Sequence, residues 1–429
     1  MNFILQTIRK KFQYLINLCA TFLSQIASAA SVIILTPVLL SGLGAEQFGL
    51  YGVLLNVIIL SSVFDFGLNI GLLRKLIFNK EDAVSLINTL FFFFSILFIT
   101  SIPIFYLLFS VDLIHTGNSY FFFACVIGVL ILQNVLALFF DVIIQVENKI
   151  YVGKIIRVSK TIAETTVLIL LSKQGSIQLL LIASVGINFF YILSLFLFSK
   201  KVVNYKLSLY NFCFSILLSH IRYSFWYFLN ALAGAMVFNA QVIVISGVVG
   251  AVMAAKFILV TRFFDIIRIG LTNFTTILFP FLAMRQAEEN YAHIKSMFLK
   301  IFKRVILLSG LTLILTMTVG QQIFKVWNQQ ADILTMDLYK WVAIFVTLVV
   351  IDNVPTVFLN ALKLNTYQTI IAIVQGILGL ILGYIFLLEF GLVGVGIASI
   401  VALLVTNFFF SPIYLLRAIN KKLTSGHIK

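Results

Sequence analysis

The sequence predicts an all-α polytopic membrane protein, with twelve transmembrane helices in two six-helix lobes around a central cavity. Hydrophobic residues make up 61% of the 429 residues and charged residues 10%, and the mean hydropathy is +1.10. Several apolar runs exceed the ~20 residues that a helix needs to cross a bilayer. Apolar and polar residues do not alternate along these runs, so helices are favoured over a transmembrane β-barrel.

Short polar segments divide the chain into twelve apolar runs. We expect spans at approximately 14–40, 48–73, 86–109, 119–146, 152–172, 176–199, 219–247, 253–283, 301–321, 338–361, 366–388 and 392–416. Of the 30 Lys and Arg residues, 21 fall on the side of the N-terminus, three (Lys173, Lys325 and Lys340) fall on the other side, and six lie within or at the ends of spans. Because cytoplasmic loops collect Lys and Arg, we expect both termini to be cytoplasmic.

The two halves of the chain share weak sequence features that indicate an internal repeat. Gly44, between spans 1 and 2, matches Gly250, between spans 7 and 8, and each is followed by Ala. A tyrosine that opens a span precedes a glycine by 24 residues twice: Tyr151 and Gly175, then Tyr367 and Gly391. We therefore expect an N-terminal lobe at 1–205 with spans 1–6 and a C-terminal lobe at 206–429 with spans 7–12. Six helices per half make the repeat parallel, a construction common in secondary transporters.

Span 8 carries a polar stripe on an otherwise apolar helix. At about 100° per residue, one arc of about 120° holds five polar residues: Arg262, Asp265, Arg268, Thr272 and Thr276. Each Arg is three residues from Asp265 and can pair with it, which leaves one net positive charge. A charged side chain near the bilayer centre costs about 2.5–3.5 kcal/mol on insertion scales, so this stripe must pair or line an aqueous space.

Spans 4 and 5 carry comparable stripes. Span 5 aligns Lys154, Arg157, Lys160, Thr161 and Glu164, and span 4 aligns Asn134, Asp141, Gln145 and Asn148. Lys154 and Arg157 are also close enough to the cytoplasmic surface to extend their charges into water, which is the alternative interpretation of both. Together the stripes predict a central cavity with a positive surplus, which suits an anionic solute.

Two further acids lie inside predicted spans. Asp65 aligns with Ser61 and Asn69 on span 2, and Asp352 precedes Pro355 on span 10, where the missing amide loosens a helical turn. These acids, with Asp265, Asp141 and Glu164, are candidates for ion coupling or for structural pairing. The four His residues fall in predicted loops or span ends, which makes a proton relay through them the weaker interpretation.

Several function classes are disfavoured by what the sequence lacks. The net charge of +15 follows the predicted cytoplasmic loops, so it indicates membrane topology and not nucleic acid binding. Cys19, Cys125 and Cys213 are odd in number and lie in apolar runs, so neither a disulfide framework nor a metal site is expected. No phosphate-binding loop of the Walker type or nucleophile motif appears, so we expect no cofactor and no enzymatic activity.

Two stretches of the sequence carry motifs that can be compared with known families. The first is the opening hairpin, with Pro37, Gly44, Phe48-Gly49-Leu50, Asp65-Phe66-Gly67-Leu68, Gly71 and Arg74. The second is FLNALKLNTYQTIIAIVQGILGLILGYIFLLEFGLVGVGIAS, Phe358 to Ser399. With these motifs the chain resembles, over essentially its whole length, the bacterial polysaccharide flippases of the Wzx type, in the superfamily of the MATE exporters and the lipid II flippase.

The resemblance implies export of undecaprenyl-diphosphate-linked O-antigen or related repeat units from the cytoplasmic to the periplasmic leaflet of the bacterial inner membrane. It also implies a cation-lined lumen, an ion gradient as the driving force, and a polysaccharide polymerase and a chain-length regulator as partners. The substrate-binding residues expected from the stripes are Arg262, Arg268, Lys160, Arg157, Lys154, Asn134 and Gln145.

Two other functions remain open at this stage. An ion-coupled exporter of small organic solutes would share the fold, and resistance of a drug-sensitive strain would reveal it. An integral-membrane polysaccharide polymerase would handle the same lipid-linked substrate, although such enzymes usually carry a sizeable outer loop and the predicted loops here are short.

Overall fold

The computed structural model describes residues 2–78, 83–110, 120–276, 278, 282, 285–286, 288–328 and 336–426. Within these residues every regular element is a helix, which confirms the all-α prediction. The chain forms two compact units, Met1–Ala231 and Leu232–Lys429. The lobe boundary expected between residues 205 and 206 stays a prediction, and each unit is described by itself below.

The helices follow one another with short connections. The first unit contains α1 (Asn2–Ser61), α2 (Leu68–Phe78), α3 (Ala83–Ser110), α4 (Tyr120–Gln145), α5 (Ile150–Ser172) and α6 (Ile177–Val202). The helix α7 (Phe214–Phe238) begins in the first unit and ends in the second. The second unit continues with α8 (Ala240–Val249), α9 (Ala251–Thr276), α10 (Tyr291–Leu315), α11 (Gln321–Trp327), α12 (Met336–Ala361), α13 (Asn365–Leu403) and α14 (Phe409–Gly426).

Apolar composition and length make several of these helices able to span a membrane. Among the described residues six helices qualify, or seven if the bent pair α7 and α8 forms one span. Two of them run over 46 and 59 residues, which is enough for two crossings each. The helices α5, α9 and α10 each carry four charged residues, which keeps them out of this set. The chain is therefore a multi-pass membrane protein, and its charged helices are the ones that apolar composition alone does not identify as spans.

The glycines that suggested an internal repeat share backbone conformations. Gly44, where α1 bends, has φ 79° and ψ 167°, and Gly250, between α8 and α9, has φ 90° and ψ 169°. Gly175 and Gly391 have φ 63° and φ 60°. All four lie in the left-handed region, which costs glycine least because it has no Cβ. The bends between spans 1 and 2 and between spans 7 and 8 are therefore built alike.

The second predicted span is not a continuous helix. A short 3₁₀ turn at Ser62–Asp65 follows α1, and Phe66 and Gly67 adopt positive φ before α2 begins. The Asp65 Oδ1 atom accepts a hydrogen bond of 2.7 Å from the Gly67 amide, the local bond by which Asp stabilises turns. The predicted continuous helix through Ser61, Asp65 and Asn69 is therefore wrong, because the helix breaks between them, but Asp65 still lies beside Asn69.

Close packing joins α2 to the first half of α7. A side chain at Gly67 or Gly71 would collide with atoms of α7, including those of Ser224. Glycines four residues apart allow two helix backbones to approach closely in a membrane. His220, which was expected at a span end, is fully buried inside α7, and its Nε2 atom lies 3.0 Å from the Leu68 carbonyl oxygen.

Each unit has its own apolar core. In the first unit the core joins α2, α3, α4 and α6 around residues such as Phe94, Phe139 and Phe140. In the second unit Phe298 of α10 and Phe358 of α12 lie at the centre, with ring centroids 5.3 Å apart. Because lipid is as apolar as these side chains, close van der Waals packing contributes most of their stabilisation.

Candidate functional site

The stripe on α5 lies on the packed side of that helix. Exposed apolar residues occupy the opposite side, namely Ile155, Ile162 and Leu170. The buried residues of α5 fall on or beside the arc of the charged side chains: Gly153, Leu168 and Ser172. Of the three cations of the stripe, Lys154 and Lys160 are half-buried on this side, whereas Arg157 is exposed.

Lys160 and Glu164 form an ion pair within the α5 stripe. The Lys160 Nζ atom lies 2.6 Å from Glu164 Oε2, and the two side chains are 22% and 24% exposed. An i, i+4 spacing brings such side chains together on one helix face. The pair is only partly shielded, so one positive charge of the stripe is neutralised close to the surface.

Side chains of α4 and α6 extend this charged face. The Gln145 amide donates a hydrogen bond of 3.0 Å to Asp141, and Asp141 interacts electrostatically with Lys154. Arg157 lies close to the phenol of Tyr191 on α6 and interacts with it electrostatically. Asp141 reaches α5 because Gly153 leaves room for its carboxylate. Four predicted site residues on α4 and α5 thus belong to one neighbourhood: Asp141, Gln145, Lys154 and Arg157.

The two asparagines of the predicted α4 stripe have different surroundings. Asn134 is half-buried in the middle of α4. Asn148 lies outside α4 in a turn with φ 59°, and its carbonyl and amide oxygens accept hydrogen bonds from Asn17 of α1. The expected alignment of Asn148 with Asp141 is therefore wrong, because the helix ends at Gln145 and Asn148 connects α4 to α1.

The stripe on α9 contains one ion pair and one separate arginine. The Nε and Nη2 atoms of Arg268 lie 3.1 and 2.8 Å from Asp265 Oδ1. The Arg268 guanidinium also lies 4.4 Å from the ring centroid of Phe238 on α7, within the range of a cation–π interaction. Arg262 is half-buried and forms no ion pair within the described part of the chain, although the sequence allowed it to pair with Asp265.

The remaining polar positions of α9 lead toward α12. The Thr272 hydroxyl donates to the Arg268 carbonyl oxygen at 2.9 Å, and the Thr275 hydroxyl donates to that of Thr272 at 2.7 Å. Asn353 of α12 hydrogen-bonds Thr275 in turn. Polar groups therefore continue from Arg268 to the helix that carries Asp352.

Sequence reasoning missed three residues of these neighbourhoods. Tyr191 and Phe238 contact the charged faces from other helices, and Gln368 of α13 hydrogen-bonds Thr356 of α12. Aromatic residues make up 14% of the chain, so neither ring stands out in the sequence. Gln368 lies one residue after Tyr367, which the sequence singled out only as a repeat marker.

Comparisons with known proteins agree on the fold. No protein-family model matches the sequence, and no curated protein matches it. A solved structure of a multidrug resistance MATE family transporter of the MOP superfamily, in an inward-facing conformation, has a TM-score of 0.71 at 15% identity, covering 92% of this chain and 96% of that one. The lipid II flippase MurJ, in an inward closed conformation, gives 0.70 at 16% identity, with 95% and 87% covered.

A third solved structure, a MOP-superfamily transporter from Pyrococcus furiosus described as having a reverse polarity of its binding pocket, gives a TM-score of 0.53 at 16% identity with 96% of each chain covered. At these identities the likeness establishes the fold. The chain thus has the fold of MOP-superfamily transporters.

Chemically, the two faces offer cations held at partial exposure. Arg guanidinium groups present several donors in a fixed plane, and Lys presents a compact charge. Both side chains suit phosphate oxygens, Arg by paired hydrogen bonds. Each unit therefore contains a cationic surface that can bind an oxyanion. At Lys160 and Arg268 the oxyanion has to displace the carboxylate that pairs with the cation, whereas at Arg262 it can bind directly.

Proposed function

We propose that this protein is a flippase for undecaprenyl-diphosphate-linked oligosaccharide of the O-antigen type. It moves the headgroup from the cytoplasmic to the periplasmic leaflet of the bacterial inner membrane by alternating access, with both termini cytoplasmic. The fold of MOP-superfamily transporters supports the transport class, and the MurJ structure supports a lipid-linked substrate by likeness. The protein's own residues supply the argument for an anionic headgroup.

The observation that carries this proposal is the positive surplus on the α9 face. Arg268 is balanced by Asp265, whereas Arg262 has no carboxylate partner within the described residues. A guanidinium that is half-buried without an anion carries an unbalanced charge, which favours binding of an oxyanion. A diphosphate group supplies the opposite charge and several acceptor oxygens. A cationic drug would be repelled at this position.

The α5 face contributes in the same way. In the proposed mechanism Lys154, Arg157 and Lys160 contact diphosphate oxygens in one phase of the transport cycle. Asn134 and Gln145 provide amides for sugar hydroxyls. Asp65, Asp141, Asp265, Asp352 and Glu164 serve as coupling or balancing acids.

The membrane potential favours export of such a headgroup. Moving about two negative charges outward across an inside-negative potential of 100 mV releases about 4–5 kcal/mol. This free energy can bias an alternating-access cycle toward the periplasmic leaflet. An ion gradient coupled through a buried acid adds to it.

The test is flipping of an undecaprenyl-diphosphate-linked oligosaccharide by purified protein in proteoliposomes. Two charge-assisted hydrogen bonds contribute about 1.5–3 kcal/mol each, so Arg262→Ala with Arg268→Ala lowers the rate at least about 100-fold. Replacing both by Lys preserves part of the rate because the charge remains. Lys340→Ala, which removes an exposed cation paired with Asp337, is the control and leaves the rate unchanged.

Wild-type flipping by the double alanine variant would exclude the α9 face as the headgroup site. If the wild-type protein does not flip the lipid-linked oligosaccharide but makes a drug-sensitive strain resistant, the protein belongs with the small-solute exporters.

A further inference from the structure

Seven Lys and Arg residues lie on α10 and α14, two helices of the second unit that contact each other. Neither helix contains an Asp or Glu residue. The Lys295 Nζ atom of α10 donates a hydrogen bond of 2.9 Å to the Asn420 Oδ1 atom of α14, which places the basic parts of the two helices side by side. The seven cations are Lys295, Lys300, Lys303, Arg304, Arg417, Lys421 and Lys422.

The cations of α10 lie on its exposed side. Lys300, Lys303 and Arg304 are all exposed and fall within an arc of about 100° on the helix. Exposed apolar side chains share this side, namely Leu299 and Leu307. The buried residues of α10 lie on the opposite side: Ile294, Phe298 and Ser309. This side of α10 therefore presents positive charge beside apolar surface, as expected at the boundary between lipid headgroups and hydrocarbon.

The cations of α14 follow an apolar stripe of the same helix. Phe410 and Ile413 are exposed, and Arg417 and Lys421 lie on their face at helical spacing, nearer the C-terminus. Asn420, which contacts α10, lies between the two cations in the chain. Each helix thus carries exposed apolar residues that lead to exposed cations. We call the exposed cations Lys300, Lys303, Arg304, Arg417 and Lys421 the α10–α14 basic surface.

Membrane topology alone does not explain this concentration of charge. The predicted repeat matches α10 and α14 with α3 and α6, the third and sixth spans of the first half. The helix α3 contains no charged residue, and α6 contains two, Lys200 and Lys201. Cations that only fix the orientation of a span are needed equally in both halves, because the repeat is parallel. The excess on α10 and α14 therefore indicates a negatively charged ligand.

The ligand that fits this surface combines an anion with an apolar chain. None of the three α10 cations of the surface forms an ion pair within the described residues, so their charge is available to a ligand. Lys and Arg both suit phosphate oxygens. The exposed apolar residues beside the cations suit an acyl chain. An acidic segment of a soluble protein would supply only the anion.

We propose that the α10–α14 basic surface binds an anionic phospholipid of the surrounding bilayer, of the phosphatidylglycerol class. The lipid phosphate contacts cations of both helices, and the acyl chains lie along the neighbouring apolar residues. Basic sites between transmembrane helices bind anionic headgroups in this way. The bound lipid bridges α10 and α14 and stabilises their contact. This inference goes beyond the proposed function, because lipid binding does not depend on which solute the protein transports.

The test is native mass spectrometry of the purified full-length protein, titrated with phosphatidylglycerol or with uncharged phosphatidylcholine of the same acyl chains. Wild type binds phosphatidylglycerol at least about tenfold more tightly than phosphatidylcholine. The variant with Lys300→Gln, Lys303→Gln and Arg417→Gln loses this preference. The matched control carries Lys173→Gln, Lys325→Gln and Lys340→Gln, which removes three exposed cations expected on the other side of the membrane and leaves the preference unchanged.

All six substituted residues are exposed, so both variants are expected to match wild type in gel filtration and thermal unfolding. A second measurement needs no variant: phosphatidylglycerol raises the unfolding temperature of wild type more than phosphatidylcholine does. Equal affinity of wild type for the two lipids, a retained preference in the basic-surface variant, or an equal loss in the control would overturn the proposal. Binding of a polyglutamate peptide without any preference between the lipids would also overturn it and assign the surface to an acidic protein.

Discussion

The charged faces of α5 and α9 are balanced in different ways. On α5 the charges interact with neighbours on two other helices, since Asp141 of α4 is close to Lys154, and Tyr191 of α6 is close to Arg157. On α9 the only acid is Asp265, which pairs with Arg268 and leaves Arg262 alone within the described residues. The charged face of α5 is therefore held by contacts from two other helices. The charged face of α9 instead keeps one positive charge, that of Arg262, which no carboxylate of the described residues balances.

Because of this difference, we expect the loss of one cation to affect anion binding unequally on the two faces. Removing a cation from α5 leaves others nearby that can take over a phosphate contact. Removing one from α9 leaves few alternatives. Substitutions on α9 therefore affect an anionic substrate more strongly than matched substitutions on α5.

The largest expected effect is on the flipping rate, and it differs between Arg268 and Lys160, each of which pairs with an acid on its own helix. Arg268→Ala removes the substrate contact, the partner of Asp265 and the Phe238 interaction, so flipping falls about 10- to 100-fold. Lys160→Ala reduces it by less than about tenfold, because Lys154 and Arg157 remain. Initial flipping rates in proteoliposomes, normalised to reconstituted protein, make the comparison. Equal losses in both variants would show that the two faces are equivalent.

The second prediction compares two glycines near α7. An added Cβ at Gly71 would collide with Ser224 and His220, while the space around Gly234 is open. Gly71→Ala therefore destabilises the protein by about 1–3 kcal/mol through overpacking. Gly234→Ala is neutral or stabilising by up to about 1 kcal/mol, because alanine favours a helix interior. Thermal unfolding of both variants in detergent measures the difference, and a stable Gly71→Ala protein would contradict the close packing of α2 on α7.

The smallest expected effect tests the internal repeat. Gly44→Ala and Gly250→Ala each force a Cβ into the left-handed region, at a cost of about 1 kcal/mol. Among the described residues no atom lies within 4 Å of an added Cβ at either position, so we expect the two losses to be equal. Thermal unfolding of the pair is the measurement. A several-fold difference between the two losses would mean that the matching bends have different structural roles.

The sequence predicted the architecture because hydropathy and length dominate helix formation in a membrane. Twelve apolar runs, the glycines at the bends and the packed side of α5 all follow from those two properties and from helical periodicity. The break after Asp65 was not predicted, because the apolar run continues through it and the deciding contact is a local hydrogen bond to Gly67. Hydropathy averaged over about twenty residues does not detect a break that depends on one hydrogen bond.

The charged sites were predicted as residue sets but not as pairs. Arg262 and Arg268 are equally spaced from Asp265 along α9, so the sequence could not choose between them. Phe238, on another helix, contacts the guanidinium of Arg268 and stabilises that arrangement. Gln368 was missed for a similar reason, since only the approach of α13 to Thr356 gives it a role.

The most direct test of the central claim is the affinity of purified protein for undecaprenyl diphosphate, measured by native mass spectrometry on wild type, Arg262→Lys and Arg262→Ala. An unbalanced guanidinium on α9 predicts binding that Lys largely preserves and Ala weakens about tenfold or more. Undecaprenol, which has the same tail without the diphosphate, binds all three proteins equally. Equal diphosphate affinity in all three proteins would contradict the account.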